Sequence, residues 1–294
     1  MAKFISSADW HTRFTVPSCL DMTEKEWINA QKEALRQVLE IAVKKEVSYI
    51  LIGGDLFHSV NSTNNEIIYM LQDFARQAAE LGIKIYILCG NHDLINHASS
   101  NIPKSAIGVL LNSKHIFNMN EEDSPVKGCN FDEDDYTGYK YIFKHTLCIP
   151  DWEKNDFIKC ETPESLLKKY PDSHMIFTGD YHKNFVHKSD DNRFVINSGC
   201  LLNQASDFED YQNGVYYVDT DTDTVEWCPI YNNLKFNHQN EIKKEIDENI
   251  EKFATGIKKE SITLDFISSL KIELQNHEQP VQDKVNEWIN QIGQ

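Results

Sequence analysis

Residues able to hold a divalent cation recur where apolar runs of this chain end. Asp9-Trp10-His11 closes one run, Gly54-Asp55-Leu56-Phe57-His58 a second and Gly90-Asn91-His92-Asp93 a third; His145 and Asp180-Tyr181-His182 close two more. Carboxylate, imidazole and amide oxygen donors suit hard to borderline divalent ions. In Asp9-x-His11 the alternation of an extended chain places both side chains on one face. Gly53-Gly54-Asp55 ends its run in a turn that glycine permits, after which a carboxylate can bridge two ions, one oxygen to each. Asn91 offers a neutral hard ligand, and His92 can face a substrate. Any one of these residues is also an ordinary helix cap. Three in succession, with histidines at set offsets, point to metal chemistry.

The elements that must position them follow from the hydrophobic pattern. Short apolar strands are expected at Phe4–Ala8, Ser48–Gly53 and Ile83–Cys89. Between them lie two amphipathic helices. The first opens with the capping box Thr23-Glu24-Lys25-Glu26 and carries the stripe Ile28, Leu35, Val38, Leu39, Ala42. The second carries Ile67, Ile68, Leu71, Phe74, Ala75 and Ala78 and stops at Gly82. Strand, helix, strand, helix, strand implies an α/β sheet, and in such sheets ligands bind at the carboxyl ends of the strands. The polar stretch Asn118–Asp135 reads as a surface loop. Tyr139–His145, His174–Gly179, Phe194–Asn197, Gly214–Asp219 and Val225–Cys228 then read as strands of a second, mixed or antiparallel sheet, with a short helix over Thr162–Tyr170. From about Tyr231 the texture changes: residues 238–260 read as a surface helix, Ile262–Phe266 as a short apolar stretch, and Val281, Val285, Trp288 and Ile289 as a last amphipathic helix. Residues 1–230 are therefore expected to form one domain and 231–294 a small C-terminal helical appendage, a cap or a docking element.

Composition bounds the function. The 294 residues carry 29 Lys and Arg against 46 Asp and Glu, a net charge of −17. Gripping a long duplex through a basic surface depends on neutralising its phosphates, so phosphate chemistry here needs positive charge from bound ions. The seven cysteines are odd in number and contain no Cys-x-x-Cys, which reads as a reducing, cytoplasmic setting. No leader and no membrane-spanning run is expected. Neither a Ser-His-Asp triad nor a Gly-x-x-x-x-Gly-Lys loop is recognisable, so ATP hydrolysis is not expected of this chain.

In combination, Asp9-x-His11, Gly54-Asp55-x-x-His58 and Gly90-Asn91-His92-Asp93 resemble the calcineurin-like metallophosphoesterases over residues 1 to about 230. Gly-Gly-Asp-Leu-Phe-His at 53–58 is most similar to the SbcD-type nuclease branch; more loosely, the tail and the 96–110 stretch resemble short, phage-type members. The resemblance implies a two-sheet αββα sandwich and two divalent ions, Mn²⁺ first, with Mg²⁺ or Fe²⁺ as alternatives. It implies that Asp9, His11 and His182 hold the first ion, that Asn91, His145 and Asp180 hold the second, and that Asp55 bridges them. His92 becomes the acid that meets the leaving group, and His58 a residue on the substrate side. Where the family has Gly-His-x-His, this chain has Gly179-Asp180-Tyr181-His182; Asp remains a hard ligand. His174 competes with His145 but stands at the wrong end of its strand, and His97 lies near the motif without belonging to it.

Three functions follow from this. The first is a DNA nuclease that hydrolyses phosphodiester bonds with metal-activated water, working with an SbcC-like coiled-coil ATPase and possible as a homodimer. The second is a small-nucleotide phosphodiesterase or phosphoprotein phosphatase. The third is a non-catalytic binding module with a degenerate site, for which Asp180 speaks.

Overall fold

The computed structural model describes residues 2–60, 64–121, 123–153, 159–205 and 211–237, together with 279, 282 and 283. The chain divides into two units: Met1–Pro17 with Met22–Lys235, and Ser18–Asp21 with Phe236–Gln294. In the second unit Leu20 bridges to Phe236 in antiparallel fashion, and the Asn237 N–H donates to the Cys19 carbonyl at 2.6 Å. The elements expected beyond residue 238 lie, apart from three isolated positions, outside the described residues.

The first unit contains two mixed sheets. One is built on β1 (Lys3–Ser7), β2 (Tyr49–Ile52), β3 (Lys84–Ile87) and β4 (Ile116–Asn118), all parallel, extended on its other side by β10 (Gly214–Asp219) and β11 (Thr224–Pro229), which are antiparallel. The other runs β5 (Lys127–Cys129), β6 (Tyr141–His145), β7 (Met175–Gly179), β9 (Phe194–Asn197), β8 (Phe185–Lys188), with only the β8–β9 pair antiparallel. Phe4, Leu51 and Tyr86 from the first sheet meet Phe143, Phe177 and Ile196 from the second in one buried layer. Alternate residues face outward. On the second sheet these are Ile142, Ile176 and Val195, covered by Leu166 and Leu167 of α4 (Pro163–Lys169). On the first sheet, α1 (Glu24–Lys44), α2 (Asn65–Glu80) and α3 (Ala106–Leu111) bury their apolar stripes. The α1 cap forms as expected: Thr23 Oγ1 accepts from Glu26 N, and the Glu26 carboxylate accepts from Thr23 N.

Two expectations are corrected. β10 and β11 join the first sheet, not the second, because β10 pairs with β1 from Lys3↔Asp219 to Ser6↔Tyr216. The stretch read as a surface loop contains β5, which pairs in parallel with β6 from Lys127↔Ile142 to Cys129↔Lys144. All seven cysteines are free thiols, six of them buried. Among the described residues no helix is long and apolar enough to cross a membrane.

Phe177 is fully buried between Phe4 and Phe143, with ring centroids 5.4 and 5.6 Å away. Phe177→Ala removes the centre of the layer between the sheets and is expected to cost about 3–5 kcal/mol. The measurement is urea denaturation, read as a lowered midpoint with unchanged slope.

Candidate metal centre

Parallel pairing of β1 with β2 continues beyond both strands and draws the first two motifs together. Asp9 N–H donates to the Gly54 carbonyl, His11 N–H to Asp55, Thr12 N–H to Leu56, and His58 N–H back to Thr12, at 2.8 to 3.2 Å. The expectation that Asp9 and His11 share a face by extended-chain alternation is corrected. Both adopt left-handed backbone, with φ of 51° and 45°, while Trp10 between them turns into the core and donates from Nε1 to Ser7 Oγ at 2.7 Å. Asp55 and Asp180 are also left-handed, with φ of 51° and 86°. Each such non-glycine residue costs roughly 1–3 kcal/mol and persists only where its surroundings over-determine it.

Two glycines make room. Gly54 has φ of +99°, and a Cβ there would lie 2.5 Å from His145 Nδ1. A Cβ on Gly90 would lie 2.2 Å from Asp55 Oδ1.

The predicted residues converge from the ends of β1, β2, β3, β6 and β7. Two clusters have donor atoms lying within 4.8 Å of one another: Asp9, His11 and His182, and Asp9, Asp55 and His145. His11 Nε2 lies 3.1 Å from His182 Nε2 and 3.8 Å from Asp55 Oδ2. His145 Nε2 lies 3.3 Å from the same Asp55 oxygen and 3.0 Å from Asn91 Oδ1. His145 Nδ1 donates to the Gly53 carbonyl at 2.8 Å, which leaves Nε2 as the ligand atom. Asp180 is tied in through its backbone: its N–H donates to both Asp9 oxygens, at 3.0 and 2.9 Å. Its carboxylate belongs to neither tight cluster. His174 stands elsewhere, paired with Asp223 at 2.9 Å.

The electrostatics ask for a cation. Asp9 and Asp55 are 0% and 1% exposed, and their ion pairs are with histidines. Burial pushes the Asp9 carboxyl well above the ordinary range. For Asp55, burial works in the same direction, but the facing His145 overrides it and carries the carboxyl down. Burial alone would lower His145, yet Asp55 and then Asp9 raise it to about 10. Burial lowers both His11 and His182, which keeps their imidazoles neutral and able to ligate. Two facing imidazole nitrogens and a buried His11 Nδ1 with no hydrogen-bond partner among the described residues are poorly served by protons alone. The donor set fits divalent ions: Asp9, His11 and His182 could hold one and Asp9, Asp55 and His145 another, with Asn91 Oδ1 beside His145.

His92 and His58 lie at the open side. His92 N–H donates to Asp55 Oδ1 at 3.0 Å, and its ring Nδ1 donates to the His58 carbonyl at 2.6 Å. Arg13 donates to His58 Nε2 at 2.9 Å. The spacing of the motifs does not single out Asp93, although it closes the third block. It is buried, and its carboxylate accepts N–H bonds from Leu56, Phe57 and Gly90 at 2.9 to 3.3 Å. It thereby clamps the Asp55 loop to the Asn91 loop. Burial, then the neighbouring Asp55, raises Asp93 to about 7.

Donor clusters of carboxylate and imidazole thus stand at the strand ends of a two-sheet α/β sandwich. The chain belongs to the calcineurin-like phosphoesterase family, whose profile matches residues 2–232. It is 35% identical over 60 residues, 20% of this chain and 14% of the relative, to the uncharacterized metallophosphoesterase YhaO of Bacillus subtilis. It is 28% identical over 123 residues, 41% of this chain and 32% of the relative, to the DNA double-strand break repair protein Mre11 of Methanocaldococcus jannaschii. The chain thus spans under a third of the length of either relative. Among solved structures, a dimetal phosphatase from Danio rerio aligns with a TM-score of 0.42 at 9% identity, over 74% of this chain and 93% of that one.

Asp55→Asn keeps the side chain's shape and removes its charge. Calorimetric titration of the wild type with Mn²⁺ is expected to show two ions per chain, and the variant at least a hundredfold weaker binding of one or both. Two ions held with unchanged affinity would show that Asp55 is not a ligand.

Proposed function

We propose that this chain is a DNA nuclease of the SbcD type, Mn²⁺-dependent and cytoplasmic, that works beside an SbcC-like coiled-coil ATPase. Phosphoester hydrolysis follows from the family. The observation that carries the proposed chemistry is the placement of His92, exposed at the rim of the clusters with its ring fixed by one bond. A carbonyl only accepts, so Nδ1 carries a proton toward His58, and Nε2 is the ring atom available to a substrate oxygen. When protonated, that atom can donate to the departing oxygen, an assistance contributing about 10²–10⁴-fold. The bond from His92 N–H to Asp55 Oδ1 ties this acid to the ligand cluster. Arg13 donates to His58 Nε2 beside it. Divalent ions bound at the clusters would supply Lewis-acid polarisation of the phosphoryl group and a water acidified to near neutral pH.

The DNA substrate is supported by Gly53-Gly54-Asp55-Leu56-Phe57-His58 and by the stretch shared with the Mre11 repair protein. The carboxylate of Asp180, outside the tight clusters, is the observation that favours the competing non-catalytic module.

End-labelled linear and circular DNA, with and without Mn²⁺, distinguish these readings. Cleavage only with Mn²⁺ is the expected result. Hydrolysis of bis-p-nitrophenyl phosphate without DNA cleavage would assign the chain to small phosphodiesters, and no hydrolysis of either would favour the binding module. His92→Ala is expected to lower kcat by about 10²–10⁴-fold while two Mn²⁺ remain bound. Normal Mn²⁺-dependent turnover by that variant would remove His92 from the chemistry.

A further inference from the structure

Beside the Asn91–His145 side of the clusters stands a pair of rings that the chemistry above does not use. Phe131 is 39% exposed, although it is a large apolar side chain. Its ring centroid lies 6.2 Å from that of His145 and 6.0 Å from that of His97, at interplanar angles of 67° and 57°. Neither neighbour is parallel to it, so neither is a stacked partner. His97 is exposed, and its Nδ1 donates to the Asn91 carbonyl at 2.9 Å, which leaves Nε2 as its outward polar atom.

Both rings are held in place. Asn96 and His97 are consecutive left-handed residues, each with φ of 54°, a strain that points to function when the surroundings enforce it. Phe131 N–H donates to the Cys89 carbonyl at 2.9 Å, and Cys89 N–H donates to Asn130 Oδ1 at 3.2 Å. Ser99 donates to Asp132 from both N–H and Oγ, at 3.0 and 3.1 Å, joining the two loops. Of the acidic residues that follow Phe131 in the chain, Glu133 accepts from Asn130 N–H, and Asp134 pairs with Lys144 and Lys169.

We infer that Phe131, with His97 at its edge, is a stacking platform for one unpaired nucleobase next to the reacting phosphate. A chain of net charge −17 is poorly suited to hold a strand by its phosphates. An aromatic face takes any base without regard to charge. A base inside a duplex is not free to stack on protein, so the platform selects single strands and frayed ends. His97 Nε2 is placed to hydrogen-bond the base edge. This rests on the nuclease reading above and names the substrate form that it prefers.

The test uses the full-length protein with Mn²⁺ and short single strands carrying either 2-aminopurine or an abasic site next to the scissile phosphate. Fluorescence measures binding of the first, and competition measures binding of the second. The wild type is expected to prefer the base-containing strand by about tenfold or more, the scale of one base–aromatic stack. Phe131→Ala is expected to reduce that preference to under twofold, and Phe131→Trp to restore it; matched thermal melts verify folding. A preference unchanged in Phe131→Ala overturns the platform while leaving nuclease activity, measured on the same strands, standing. Base-dependent binding without cleavage keeps the platform and removes the nuclease reading. Strands neither bound nor cleaved overturn both.

Discussion

Two carboxylates buried at the edge of an apolar core govern this structure. An uncompensated charge in such a place is costly, and Asp9 and Asp55 are almost wholly withdrawn from water. Histidines surround them, and one of these, His145, is driven toward protonation by their field. The fold therefore creates a demand for positive charge at one point, where strands from both sheets end. Everything proposed about chemistry follows from meeting that demand with divalent ions.

Meeting it requires strained backbone. Asp9, His11, Asp55 and Asp180 all sit in the left-handed region, and each is fixed by a hydrogen bond through its own backbone. Asp9 is bonded to Gly54, His11 to Asp55, and the Asp180 N–H to the Asp9 carboxylate. Asp93 joins the second and third loops from beneath. The donors are thus arranged by a web of hydrogen bonds through the main chain, as precise sites require.

Much of this was legible in the sequence, because apolar runs that end in Asp, Asn or His show both the strand and the end at which ligands gather. The capping box of α1 and the parallel core of the first sheet are local patterns and could be read directly. Pairing between distant segments could not. Val215, Tyr216, Tyr217 and Val218 announce a strand, but nothing local says that it lies beside β1, some two hundred residues away. Lys127-Gly128-Cys129 is too short and too poor in β-branched residues to declare itself, and its place is set by β6. Asp9-x-His11 was legible as a pair of donors that share one cluster, though its left-handed geometry was not, since neither residue is glycine. Phe131 was hidden inside a polar stretch, and only its ring contacts mark it.

The net charge of −17 also takes on a sharper meaning. Part of it is drawn inward, as Asp9, Asp55 and Asp93, around the donor clusters, with Asp180 half-buried beside them. A phosphate would then meet bound cations instead of a basic face. The most direct measurement is anomalous diffraction at the manganese edge from crystals of the chain grown with Mn²⁺. Two peaks are predicted, one against Asp9, His11 and His182 and the other against Asp55, Asn91 and His145. Clusters holding no peak, with these side chains placed as they are here, would contradict the account.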